Sequence, residues 1–212
     1  RTIMPGAALP ISGREIMLVL DLSGSMERKD FVLDGRQVRR IDAVKVVSSE
    51  FLRRRAGDRI GLVLFAEEPQ LAAVPTFDLA AVERALTDAE IGLIGRSTAI
   101  GDGLGLALKR LQQSDAPSRT VVLLSDGTAT AGAVPAEAAA ELAARLGVLV
   151  HTIALGNDAA DDDPDVMSTE RVDTATLAAI AAATGGEAFR VRTTEDLRAV
   201  ADAIEGLEAG RT

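Results

Sequence analysis

Arg14-Glu15-Ile16-Met17-Leu18-Val19-Leu20-Asp21-Leu22-Ser23-Gly24-Ser25-Met26 joins a short apolar run to a turn that presents oxygen at alternate positions. Residues Glu15 to Leu20 read as a buried strand of the kind found where helices cover both faces of a parallel sheet. Asp21 ends the run, and Gly24 lets the following loop bend tightly. Three oxygen-bearing side chains, Asp21, Ser23 and Ser25, thus fall within five residues at the carboxyl end of a strand.

Strand and helix alternate outward from this stretch. Apolar positions at helical spacing, Ile41, Val44, Val47, Phe51 and Leu52, predict a covering helix over 41–55, with Arg53 to Arg55 favourable to its dipole. Gly57 and Asp58 then turn into a strand over 59–65, rich in branched residues. Glu67 to Pro69 is a tight connection to a weaker strand, 70–74, which pairs back as an edge hairpin closed by Pro75. Further units follow: helix 78–87, helix 99–111, strand 120–124, helix 135–146, strand 148–155, helix 174–183, strand 188–191 and helix 195–207. Pro135 suits a first helical turn and Gly147 a C-terminal cap. The fold class expected is α/β: a doubly wound, mostly parallel sheet with one antiparallel edge strand and helices on both faces.

Ligands of open α/β sheets sit beyond the carboxyl ends of the strands, near the point where strand order reverses. Three loops open there: Asp21 to Ser25, Gly95-Arg96-Ser97-Thr98, and Ser125-Asp126-Gly127. Hydroxyls and carboxylates without sulfur or imidazole form a hard-oxygen set, which suits Mg²⁺, Mn²⁺ or Ca²⁺ rather than zinc or copper. A cation held mainly by neutral hydroxyls stays electrophilic and accepts an anionic ligand from outside. Each loop also has a plainer reading: Asp21 to Ser25 as a turn, Thr98 as a helix cap, Asp126-Gly127 as an ordinary turn.

Asp21-x-Ser23-x-Ser25, Thr98 and Asp126-Gly127 together resemble the metal-ion-dependent adhesion site of von Willebrand factor type A domains, in order and in secondary-structure context. The resemblance implies a Rossmann-like domain over 15–212 preceded by an N-terminal extension, 1–14. It implies Ser23, Ser25 and Thr98 as direct ligands of one divalent cation, Mg²⁺ first with Mn²⁺ or Ca²⁺ as alternatives, and Asp21 and Asp126 as charge-balancing partners. The implied activity is non-enzymatic: binding of a protein partner's Asp or Glu through the cation. Arg14 to Met17, Arg40 to Lys45, Gly57 to Leu62 and Thr98 to Asp102 are similar to the bacterial Bat (aerotolerance-type) membrane proteins. That likeness implies other Bat-type proteins or a MoxR-type AAA+ ATPase as partners. It also implies membrane anchors outside this chain, with the domain on the extracytoplasmic side. Residues 27–40 stand out as an insertion beside the first metal loop.

Composition narrows the field. No Trp and no Tyr, with a net charge of -9, leave neither stacking platforms nor a basic groove for nucleic acid. The absence of cysteine excludes disulfides, zinc thiolates and cysteine nucleophiles. No apolar run approaches the ~20 residues of a membrane-spanning helix. His151 falls in an apolar strand and reads as packed; the acidic stretch Asp158 to Asp165 lacks the spacing of an EF-hand and reads as a solvated loop. Asp102 and Arg53 to Arg55 read as helix-surface residues. Gly101-Asp102-Gly103-Leu104-Gly105 lies in a helix pattern, not in a phosphate loop after a strand. Two other classes remain open: a phosphohydrolase of haloacid-dehalogenase type, disfavoured because position 23 is Ser where that chemistry uses a second Asp, and a scaffold whose metal is purely structural.

Overall fold

The computed structural model describes residues 13–126, 129–156 and 172–209. Strands β1 (Arg14–Asp21), β4 (Arg59–Phe65), β5 (Pro69–Thr76), β6 (Ser118–Ser125), β7 (Leu149–Leu155) and β8 (Ala188–Val191) form one sheet in the order β5-β4-β1-β6-β7-β8. All neighbouring pairs are parallel except β4 with β5, the antiparallel edge hairpin. This is the doubly wound arrangement expected. Pro75, expected to close the edge strand, lies inside it, where the missing N–H is harmless because β5 pairs on one side only. Arg14, assigned to the extension, opens β1.

β1 alternates between two cores. Ile16, Leu18 and Leu20 pack with α1 (Arg40–Arg53), α2 (Leu79–Thr87) and α6 (Thr194–Ala209), whereas Met17 and Val19 pack with α3 (Ile100–Leu111), α4 (Ala136–Leu146) and α5 (Thr174–Thr184). Both cores are built mainly from Val, Leu, Ile and Ala, with Phe31 and Phe51 in one and Phe65 in the other. Pro135 is the residue before α4 rather than in its first turn, and Gly147 caps that helix in the left-handed conformation.

The chain runs from β1 to β4 on one side and later to β6 on the other, so strand order reverses at β1. Asp21 is the last residue of β1 and Ser125 the last of β6, one step beyond the Leu20–Leu124 pair of the parallel ladder. The crevice therefore opens between them.

Residues 27–40, read from sequence as an insertion, hold a two-stranded hairpin of β2 (Phe31–Leu33) and β3 (Arg36–Val38), preceded by a short 3-10 turn (Gly24–Glu27). Asp34 and Gly35 both have positive φ, as a two-residue hairpin turn requires. Phe31 anchors the hairpin in the core, and the Val32 carbonyl oxygen accepts from the Thr194 hydroxyl at the start of α6.

The Gly101 and Gly103 pair serves helix packing. A Cβ on Gly101 would lie 1.9 Å from the Val134 carbonyl oxygen, and one on Gly103 would press into the Phe65 ring. Since backbone cannot give way as a flexible side chain can, Gly101→Ala is expected to cost about 3 kcal/mol, read as a lower urea midpoint at unchanged slope. A midpoint equal to wild type would refute this contact.

Two surface assignments change. Asp102 is a loop anchor: its carboxylate accepts the backbone N–H groups of Ala133 (3.0 Å) and Val134 (2.8 Å). Arg55 is buried at the end of α1, stacked 4.3 Å over the Phe51 ring and paired with buried Asp58. Sequence periodicity placed both on helix surfaces because it carries no information about what a neighbouring loop does. His151 is packed as expected, with Nδ1 accepting the Glu187 N–H at 3.1 Å and Nε2 facing buried Glu208.

Candidate functional site

Four of the five expected residues meet directly. Asp21, fully buried, accepts the Ser23 N–H on Oδ1 (2.8 Å) and the Ser125 hydroxyl on Oδ2 (2.6 Å). Ser23 and Ser25 hydroxyls lie 3.1 Å apart, and Ser25 donates to Asp126 Oδ1 at 2.6 Å. The hydroxyls thus bridge two carboxylates that arrive from neighbouring strands, β1 and β6.

Thr98 joins through the backbone. Its loop is stitched to the Asp21–Ser25 loop by the Gly24 N–H to Arg96 carbonyl bond (3.0 Å) and to the sheet by Ala99 N–H to the Ala66 carbonyl (2.7 Å). The Thr98 carbonyl accepts from Thr130 and Ala131, and its N–H donates to the Thr130 hydroxyl. The cap of α3 is Ala99, without a side-chain bond, so Thr98 does not hold the helix-capping position weighed for it. Gly127 and the acidic stretch Asp158 to Asp165 lie outside the described residues.

Burial dominates the electrostatics at this crevice. Burial, reinforced by the neighbouring charge of Asp126, pushes the Asp21 carboxyl up to about 7 against the opposing pull of the Ser125 and Ser23 hydrogen bonds. A buried carboxylate with so high a proton affinity is short of positive charge. The donor set, two carboxylates with hydroxyls and no nitrogen or sulfur, fits a hard divalent cation. Among the described residues no group of three or more His, Cys, Asp or Glu is placed to hold a metal ion, so the hydroxyls are what distinguishes this cluster from an all-carboxylate cage.

Sequence reading missed two participants. Ser125 appeared only as a neighbour of Asp126, yet it holds Asp21 in place. Arg40, buried at the first turn of α1, donates Nη1 to Asp126 Oδ2 at 2.8 Å and forks its other nitrogens onto Asp30. Arg40 had been noted only within a stretch of family wording; no local spacing links positions 30, 40 and 126.

A family model described as a von Willebrand factor type A domain matches residues 16–128, more than half of the chain. The chain belongs to the von Willebrand factor type A family. The stretch from β1 to the Asp126 loop is the part matched, so the family rests on the elements that build the site. An uncharacterized protein of Borreliella burgdorferi is 31% identical to this type A domain over 146 residues, 69% of the chain and 42% of that protein. The chain therefore spans less than half the length of that curated relative. Among solved structures, an aerotolerance-related membrane protein from Bacteroides fragilis superposes with a TM-score of 0.77 at 24% identity, over 92% of this chain and 98% of that one. This meets the Bat-type likeness read from sequence. Proximal thread matrix protein 1 of the mussel byssus, in a structure with a zinc-occupied MIDAS motif, superposes with a TM-score of 0.71 at 19% identity, over 96% of this chain and 47% of that one. Among the described residues no helix of this type A domain is long and apolar enough to cross a membrane.

Proposed function

We propose that this type A domain is a non-enzymatic interaction module that binds a partner protein's Asp or Glu through one divalent cation. Asp21, Ser23, Ser25, Thr98 and Asp126 would hold it. The observation that carries the reading is the buried pair of carboxylates bridged by two serine hydroxyls at the topological switch point, where burial and then Asp126 push the Asp21 carboxyl up to about 7. Such a cation supplies a positive centre with room for one anionic ligand from outside.

The chain's own residues do the rest. Ser125 and the Ser23 N–H fix both oxygens of Asp21, and Ser25 fixes the near oxygen of Asp126, so the loops need little reordering on binding. A zinc-occupied site in the mussel protein supports the view that this fold accepts a divalent ion at such a motif. Mg²⁺ is the cation proposed, with Mn²⁺ or Ca²⁺ as alternatives. Other Bat-type proteins or a MoxR-type ATPase are the proposed partners. The full-length protein is proposed to be membrane-anchored, with this domain on the extracytoplasmic side.

Thermal unfolding by circular dichroism tests the site. At about 100 times its dissociation constant the cation should add about 2.7 kcal/mol to stability over EDTA, and Asp21→Ala should abolish the gain. No shift with Mg²⁺, Mn²⁺ or Ca²⁺, and no metal by elemental analysis, would sink the reading. Loss of stability in Asp21→Ala with partner capture intact would instead leave a scaffold with a structural metal.

A further inference from the structure

We infer that Arg40 and Asp30 set the charge of the candidate cation site, and so apportion its affinity between the cation and the incoming carboxylate. This role rests on the cation-mediated reading above.

Asp126 divides its oxygens: Oδ1 accepts from Ser25 in the metal loop, while Oδ2 accepts from Arg40 on the far side. Arg40 thus holds the oxygen that the loop does not use, and it is buried with a side-chain exposure of 3%. Its guanidinium is a fixed positive charge, because arginine does not deprotonate in proteins. Asp30, at the base of the β2–β3 hairpin, takes the rest of the fork through Nε and Nη2 and is itself half-buried. Burial opposes the charge on Asp30, but the Arg40 hydrogen bonds and charge prevail and hold its carboxyl below the ordinary range.

With Asp21, Asp126, Asp30 and Arg40 ionised, the four groups carry two negative charges, and a divalent cation brings their sum to neutrality. An acidic side chain then approaches without net repulsion. Removing Arg40 adds one negative charge, which favours the cation and repels the carboxylate. Removing the charge of Asp30 does the reverse. A purely structural ion pair behaves differently: breaking it from either end loosens the same Asp126 and weakens both ligands.

The test uses two variants at pH 8, each checked for fold by circular dichroism: Arg40→Gln and Asp30→Asn. Mn²⁺ affinity is measured by calorimetry, and acetate binding to the Mn²⁺-loaded protein by water-proton relaxation. Arg40→Gln is expected to bind Mn²⁺ about tenfold tighter and acetate about tenfold weaker, and Asp30→Asn to shift each about tenfold the other way. Both variants losing Mn²⁺ affinity together would overturn the role while leaving the cation site standing, as would a wild type that takes Mn²⁺ but shows no acetate effect. A wild type that binds no Mn²⁺ overturns the site and the role alike. Should Arg40→Gln fail to fold, Asp30→Asn decides alone: weaker Mn²⁺ with stronger acetate supports the role, and any other pattern overturns it.

Discussion

In EDTA, Asp21→Asn is expected to stabilise the protein relative to wild type at pH 8, by on the order of 4 kcal/mol, and to make no difference near pH 3. The sign follows from a carboxyl whose titration rises from 3.8 to about 7 on folding, chiefly through burial and then through Asp126. Below about pH 3.8 the group is protonated in both states and costs nothing. Between there and pH 7 the unfolded chain ionises first, so stability drains away as pH rises; above pH 7 the loss is complete. Asn keeps the shape and removes the charge. Carboxylates held low by arginine partners, such as Asp30 and Asp42, contribute in the opposite sense and mostly below pH 4.5, so the wild-type-minus-variant difference isolates Asp21. Urea unfolding by circular dichroism across pH 3–8 measures it. A difference that stays flat with pH would show that the crevice is wetter or better compensated than its geometry indicates. Saturating Mg²⁺ at pH 8 should erase the advantage of Asn, since the cation then supplies what burial withheld.

The second large effect lies at the opposite end of the sheet. Asp58 is 1% exposed and receives Arg14 at 3.0 Å and Arg55 at 3.4 Å. Arg55 is buried too, and its Nε and Nη2 have no hydrogen-bond acceptor among the described residues. Asp58→Ala therefore strands a buried guanidinium, and should cost about 3–5 kcal/mol. Arg55→Met in the same background should recover a large part of that loss, because the charge that needed Asp58 is gone and the Met stem still covers the Phe51 ring. If the double variant is no more stable than the single, the cost of Asp58→Ala lies in Arg14 or in the turn, not in the stranded charge.

The sheet and its covering helices were legible because each apolar run carried its own period and each break carried Gly, Pro or Asp. The loop after β1 was legible for the same local reason, with Asp21, Ser23 and Ser25 inside five residues. Long-range electrostatics were not. Arg40 meets Asp126 across 86 positions of chain, and Ser125 meets Asp21 across 104, separations that no periodicity encodes. The β2–β3 hairpin did leave a signal, Asp34-Gly35 between Phe31-Val32-Leu33 and Arg36-Gln37-Val38, a two-residue turn between short candidate strands. It was passed over as an insertion because strands of three residues carry too little alternation to stand out. Arg55 was misassigned since its burial comes from Phe51 and Asp58 together, one on the helix and one past its end.

The two borders of the sheet bear on how the molecule keeps company with its own kind. β5 carries prolines at 69 and 75 and slips register against β4 twice, while β8 is only four residues long. Neither offers the long, flat row of unpaired amides on which another polypeptide could add itself. A sheet so rich in Val, Leu and Ile would otherwise template stacking against a second copy of the chain. Blunted rims leave side-chain surfaces, rather than backbone edges, as what this sheet presents to another chain.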